Sequence, residues 1–229
     1  MGLELLADEA LVLTGHYGCG KTSLAVTMAA ALAKKGRAVS LIDLDIVNPY
    51  FRAADFAKQL GGMGVSVVAP VYAGSGLDVP ALSARVDAAL ESSGTVILDA
   101  GGDDAGAAVL GRYAAKLMGR PHKMLYLFNS CRYLTSTPAA CVETLKEIER
   151  AARLAADGVL NSTNLGPETT AALVRGSAAF AEETARLAGL PLMGTVVPGR
   201  LWAALADVPD KVLLDMRVAL PWEGRLDNI

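Results

Sequence analysis

The chain has 229 residues, 52% of them hydrophobic and 20% charged, with a formal net charge of −3. That balance suits one α/β domain spanning residues 1–229 with a full core, and it argues against a non-specific nucleic-acid surface. No apolar stretch reaches the roughly 18 charge-free residues of a membrane span, and acids stand at the start of the chain where a secretory leader needs bases.

A cytoplasmic protein that engages neither membrane nor nucleic acid is therefore expected. Three cysteines, Cys19, Cys131 and Cys141, lack paired spacing and indicate neither a disulfide frame nor a zinc site. They read as packed thiols, with oxidation of Cys19 as the minority alternative.

Residues 9–14 are a short apolar run suited to a buried strand, and residues 21–33 are rich in Ala and Leu and predict a helix. Between them Gly15-His16-Tyr17-Gly18-Cys19-Gly20-Lys21-Thr22 is a complete G-x-x-x-x-G-K-[ST] phosphate loop. Its glycines let backbone N–H groups close around phosphate oxygens, its lysine reaches the terminal phosphates, and its hydroxyl holds Mg²⁺. Strand, loop and helix N-terminus in succession make an anion site. A nucleotide-binding protein follows.

Gly36 ends the first helix, and residues 37–43 form the next strand. Residues 50–60 are expected as a helix and 65–69 as a third strand closed by Pro70. A helix over 80–91 places Leu82, Val86 and Leu90 on one face. Strands over 95–99 and 123–129 flank a helix over 105–118. Thr137 caps the longest helix, to residue 156, with Pro138 in its first turn. A strand over 158–161, a helix over 176–188 and a seventh strand over 192–197 follow. The last thirty residues, with Pro198, Pro209 and Pro221, are expected to wrap the body. Alternation of helices with apolar runs predicts a mostly parallel sheet with helices on both faces.

Ligands of open α/β sheets gather at the carboxyl ends of strands. The second strand ends in Asp43-Leu44-Asp45, the fourth in Asp99-Ala100-Gly101-Gly102 followed by Asp103, and the sixth at Asn161. Strand-ending acids also cap loops, but two such ends beside a phosphate loop favour chemistry. Asp99 is the candidate partner of Thr22 for Mg²⁺. Asp45 is the candidate for orienting the attacking water, with the metal shell as its alternative. The Gly102 N–H is placed to meet a γ-phosphate and release it after hydrolysis, as a switch does.

Together these residues resemble the ATP-binding domain shared by MinD, ParA and cobyrinic acid synthase-like proteins, within the signal-recognition, MinD and BioD class of P-loop NTPases. The resemblance runs from about residue 9 to 198. It implies that residues 41–45 are the first switch and 96–99 the Walker B strand. It also implies that Asn161 reads the adenine edge and that the backbone of 194–198, ending at Pro198, lines the base pocket. The nucleotide-binding set is then Gly15, Gly18, Cys19, Gly20, Lys21, Thr22, Ser23, Gly102, Asn161 and Pro198, with Lys21 and Asp45 catalytic and Thr22, Asp45 and Asp99 at the metal.

Asn161 is followed by Ser162-Thr163-Asn164 rather than the Lys and Asp of guanine-binding relatives, which favours ATP. Where ParA- and MinD-like loops carry an interface-crossing lysine, this chain has His16, read equally as packing or as a catalytic group. The distinctive run Asn48-Pro49-Tyr50-Phe51-Arg52 faces a second substrate or partner, or simply starts a helix. The leading reading is a Mg-ATP switch acting on a protein partner or through a homodimer. A small-molecule kinase or ligase and a sensor with little turnover are the alternatives.

Overall fold

In the computed structural model, residues 10–45, 52–69 and 79–215 are described. One sheet of eight parallel strands runs in the order β3-β2-β4-β1-β5-β6-β7-β8. The strands are β1 Ala10–Thr14, β2 Val39–Asp43, β3 Val65–Val68, β4 Thr95–Asp99, β5 His122–Phe128, β6 Gly158–Asn161, β7 Leu192–Pro198 and β8 Lys211–Leu214. The helices are α1 Lys21–Lys34, α2 Ala57–Gly62, α3 Val79–Glu91, α4 Asp104–Gly111, α5 Ala114–Met118, α6 Pro138–Ala152, α7 Ala171–Gly176 and α8 Ala178–Ala188.

Every residue of β1 and β4 is buried, as parallel strands covered on both faces require. Period-two geometry still sorts their side chains. Val12, Leu98, Tyr126 and Phe128 join the core beneath α4, α6 and α8. Leu11, Leu13, Ile97, Leu125 and Leu127 join a second core with Leu24, Met28 and Leu32 of α1. α6 shows why an amphipathic sequence is needed outside the sheet: Cys141, Leu145, Ile148 and Ala152 form its buried stripe. The Thr137 hydroxyl caps it by accepting from the Ala140 N–H at 3.2 Å.

Several boundaries differ from the sequence expectation. The helix expected over 105–118 breaks into α4 and α5, where Arg112 and Tyr113 turn the chain. α6 stops at Ala152 because Arg153 adopts a left-handed conformation, φ 55°. α8 begins only at Ala178, with Thr170 capping a separate α7. The first part of the 50–60 helix lies outside the described residues, and the rest is a 3-10 turn, Ala53–Phe56, leading into α2. The tail adds an eighth strand: β8 pairs with β7 from Thr195–Lys211 to Pro198–Leu214.

Candidate functional site

β1 lies between β4 and β5; the α1 helix that follows it packs on one face of the sheet, whereas α4 and α6, which follow β4 and β5, pack on the other. The loops at the carboxyl ends of β1, β2, β4, β5 and β6 meet there, in the crevice where open sheets place ligands. Gly20 enters α1 in a left-handed conformation, φ 87°. It brings Lys21 and Thr22 to the helix N-terminus, where unpaired N–H groups and the dipole favour anions.

The Thr22 hydroxyl donates to Asp99 Oδ2 at 2.6 Å across 77 residues of sequence. Asp99 Oδ1 is buried with no hydrogen-bond partner. Burial pushes the Asp99 carboxyl up to about 6, against the lowering pull of Lys21 and of the Thr22 hydroxyl, while Asp45 adds to the rise. Lys21 is itself only 6% exposed. Burial works against its charge, but the acidic groups around it, Cys19 first and then Asp99, Asp45 and Asp103, hold its pKa above the ordinary lysine value. A buried ammonium beside an orphaned carboxylate oxygen is an unfinished polar site, and a phosphate with Mg²⁺ has the charges that complete it. The donor set therefore fits the implied group.

Gly102 closes the other wall. A Cβ on it would overlap the Gly15 carbonyl oxygen and approach the His16 amide nitrogen at 2.8 Å. Backbone thus packs directly on backbone between the loop and the end of β4. Asp45 sits over the same turn, its Oδ1 3.4 Å from where a Gly101 Cβ would stand. Asp103 accepts from the Gly106 N–H at 2.7 Å and caps α4.

The residues expected at the phosphates and metal are brought together, with Ser23 one position further along α1 and turning its carbonyl to the Thr27 hydroxyl. Asn161 stands apart. Its amide donates to Ser177 Oγ at 2.8 Å and faces Thr195 Oγ1 at 3.4 Å, while its Oδ1 accepts from the Thr163 N–H. Pro198 ends β7, with two strands between it and β1. Cys19 is buried, and burial pushes its thiol up, away from a reactive thiolate. Among the described residues His16 hydrogen bonds locally, through Nδ1 and the Tyr17 carbonyl at 3.3 Å. Asn48 and Tyr50 lie outside the described residues.

Four residues outside the expected set complete the site. Asp43, paired in register with Asp99, is 1% exposed. Burial first and the Asp99 charge second raise it to about 7, against the opposing charge of Arg52, whose Nε lies 3.7 Å away. Asn129 Nδ2 and Arg132 Nε both donate to the Gly18 carbonyl at 3.2 Å. Ser162 Oγ donates to the Cys19 carbonyl at 2.6 Å. These contacts hold the Gly18 and Cys19 carbonyls of the loop from the ends of β5 and β6. Asn129 carried a readable signal, since it follows an apolar strand just as Asp45 and Ala100 follow theirs. Arg132 and Ser162 carried none.

The family model of the CobQ/CobB/MinD/ParA nucleotide-binding domain matches residues 11–200. The chain belongs to that family. No curated protein matches it. Among solved structures it is similar to the signal recognition particle 54 kDa protein of Aeropyrum pernix K1 in complex with GDP, at 18% identity and TM-score 0.55, over 82% of this chain and 41% of that one. FtsY from Mycoplasma mycoides is similar at 16% identity and TM-score 0.55, over 82% and 59%. FtsY from Thermotoga maritima follows at 18% and 0.52, over 82% and 61%. This chain thus spans between two-fifths and three-fifths of those proteins, and the likeness establishes the P-loop NTPase fold. Among the described residues, no helix is long and apolar enough to cross a membrane.

Proposed function

We propose that this nucleotide-binding domain is a Mg-ATP-dependent ATPase that works as a switch on a protein partner. The observation that carries the reading is the Thr22–Asp99 hydrogen bond, with Asp99 Oδ1 left unpaired beside the buried Lys21. Lys21 and the loop amides from Gly18 to Ser23 bind the phosphates, and Thr22 and Asp99 hold the metal, which would neutralise phosphate charge. Asp45 orients water over the Gly101–Gly102 turn. Gly102, packed on Gly15, reports the γ-phosphate to α4, because its own movement shifts the Asp103 cap. The absence of a Lys-x-Asp after Asn161 supports ATP over GTP. The GDP in the related Aeropyrum protein makes both nucleotides necessary in the test.

Phosphate release from Mg-ATP and from Mg-GTP, with Lys21→Ala as the blank, checks this. Sustained Lys21-dependent release is expected from ATP, and release that persists in Lys21→Ala would refute the assignment.

One observation favours phosphoryl transfer to a small molecule instead. A cavity of about 550 Å³ opens beside the loop, lined by His16, Gly102, Asp103, Tyr133, Glu143 and Glu147 among others, and its size suits a metabolite. ADP formation that depends on an added metabolite would establish that reading and displace the switch.

A further inference from the structure

The phosphate loop carries one cation of its own, Lys21, yet a second is seated against it from another part of the chain. β5 ends at Phe128, and Asn129 then pins the segment that follows. Its Oδ1 accepts from the Cys131 and Asn164 N–H groups, and its carbonyl accepts from the Arg132 N–H. Arg132 has extended backbone, φ −106° and ψ 139°, immediately before the 3-10 turn Tyr133–Thr135. Its guanidinium is thereby delivered to the loop, where Nε donates to the Gly18 carbonyl at 3.2 Å.

Gly18 itself has a left-handed φ of 79°, and a Cβ there would lie 2.7 Å from Arg132 Nε. The glycine therefore leaves room for the arginine. Among the described residues no carboxylate forms an ion pair with Arg132 and no acceptor is bonded to its η nitrogens. A guanidinium placed against a phosphate loop with its forked donors unspent suits an anion that arrives with the ligand.

We propose that Arg132 is a cis arginine of this site, binding the β- and γ-phosphate oxygens of the nucleotide. The inference rests on the nucleotide reading above. In hydrolysis the water oxygen bonds to the γ-phosphorus as the bond to the β–γ bridging oxygen breaks. That oxygen keeps the electron pair, and the proton of the water passes to solvent. Arg132 offsets the charge that grows on the departing β-phosphate, as arginines supplied in cis or in trans do in other P-loop enzymes. A merely structural arginine, by contrast, would act only through the shape of the loop.

Calorimetric binding of Mg-ADP and of Mg-β,γ-imido-ATP to the full chain separates the two. Arg132→Gln keeps an amide able to reach the Gly18 carbonyl but removes the charge. It is expected to weaken Mg-ADP by about threefold, through the β-phosphate alone, and Mg-imido-ATP by about tenfold or more. Arg132→Lys is expected to recover part of that loss, and its circular-dichroism melt controls for folding. Equal weakening of both nucleotides, or no change in either, would overturn the proposal. Failure of the unaltered protein to bind Mg-ADP would overturn the nucleotide reading and this inference with it.

Discussion

Two carboxyl groups at adjacent strand ends set the energetics of the centre. Asp43 and Asp99 are register partners, both are buried, and both are held protonated well above the usual aspartate range, to about 7 and about 6. A folded-state pKa raised above the unfolded value means that the folded protein binds the extra proton. The resulting stability is complete below about pH 4 and is lost as pH rises through 6 and 7. Without nucleotide, the stability of the protein should therefore fall steadily as pH rises from 4 to 8. Asp43→Asn should remove much of that slope, which urea melts at the two pH values would reveal. The Gly102–Gly15 approach makes a second prediction. Gly102→Ala must displace backbone, costing about 1–3 kcal/mol, and should blunt any response of the melt to Mg-ATP. At this scale the loop, Thr22 and Asp99 were readable because each belongs to a contiguous motif or a strand end. The approach of Arg132 to the loop was not, since a contact between residues 18 and 132 leaves no local trace. Asp43 was passed over for Asp45, because only burial between two strands distinguishes it.

Elements were legible where periodicity is strong and blurred where a cap decides the boundary. All seven strands read from the sequence exist, because apolar β-branched runs between helices have few other uses in an α/β chain. The eighth, Lys211-Val212-Leu213-Leu214, was lost among prolines that suggested irregular chain. Only Val212 of its four residues is buried, so it carries little core signal. The break at Arg153 follows no Gly or Pro and could not be read, whereas Gly111, just ahead of the break at Arg112–Tyr113, was a signal passed over. Caps that were legible make tests of their own. Thr137 supplies the side-chain bond at the start of α6, so Thr137→Ala should lower stability by about 1 kcal/mol. Denaturant unfolding that leaves the midpoint unchanged would show that α6 is held by its apolar stripe alone.

Over the whole molecule, fold and family follow from a sheet that places the strand of the phosphate loop between the two strands flanking it. Nucleotide should then couple to global stability. At 100 times its dissociation constant, Mg-ATP should add about 2.7 kcal/mol to unfolding, and Lys21→Ala should abolish that increment in the same thermal scan. The bonds from Asn129, Arg132 and Ser162 to the Gly18 and Cys19 carbonyls have a kinetic consequence. Fixing a residue's backbone costs about 1–2 kcal/mol, and here that entropy is spent when the sheet assembles, before any ligand arrives. Encounter with nucleotide then needs no slow rearrangement of the loop. Substitutions in these three anchors should appear as slower association, because the loop must then order after encounter.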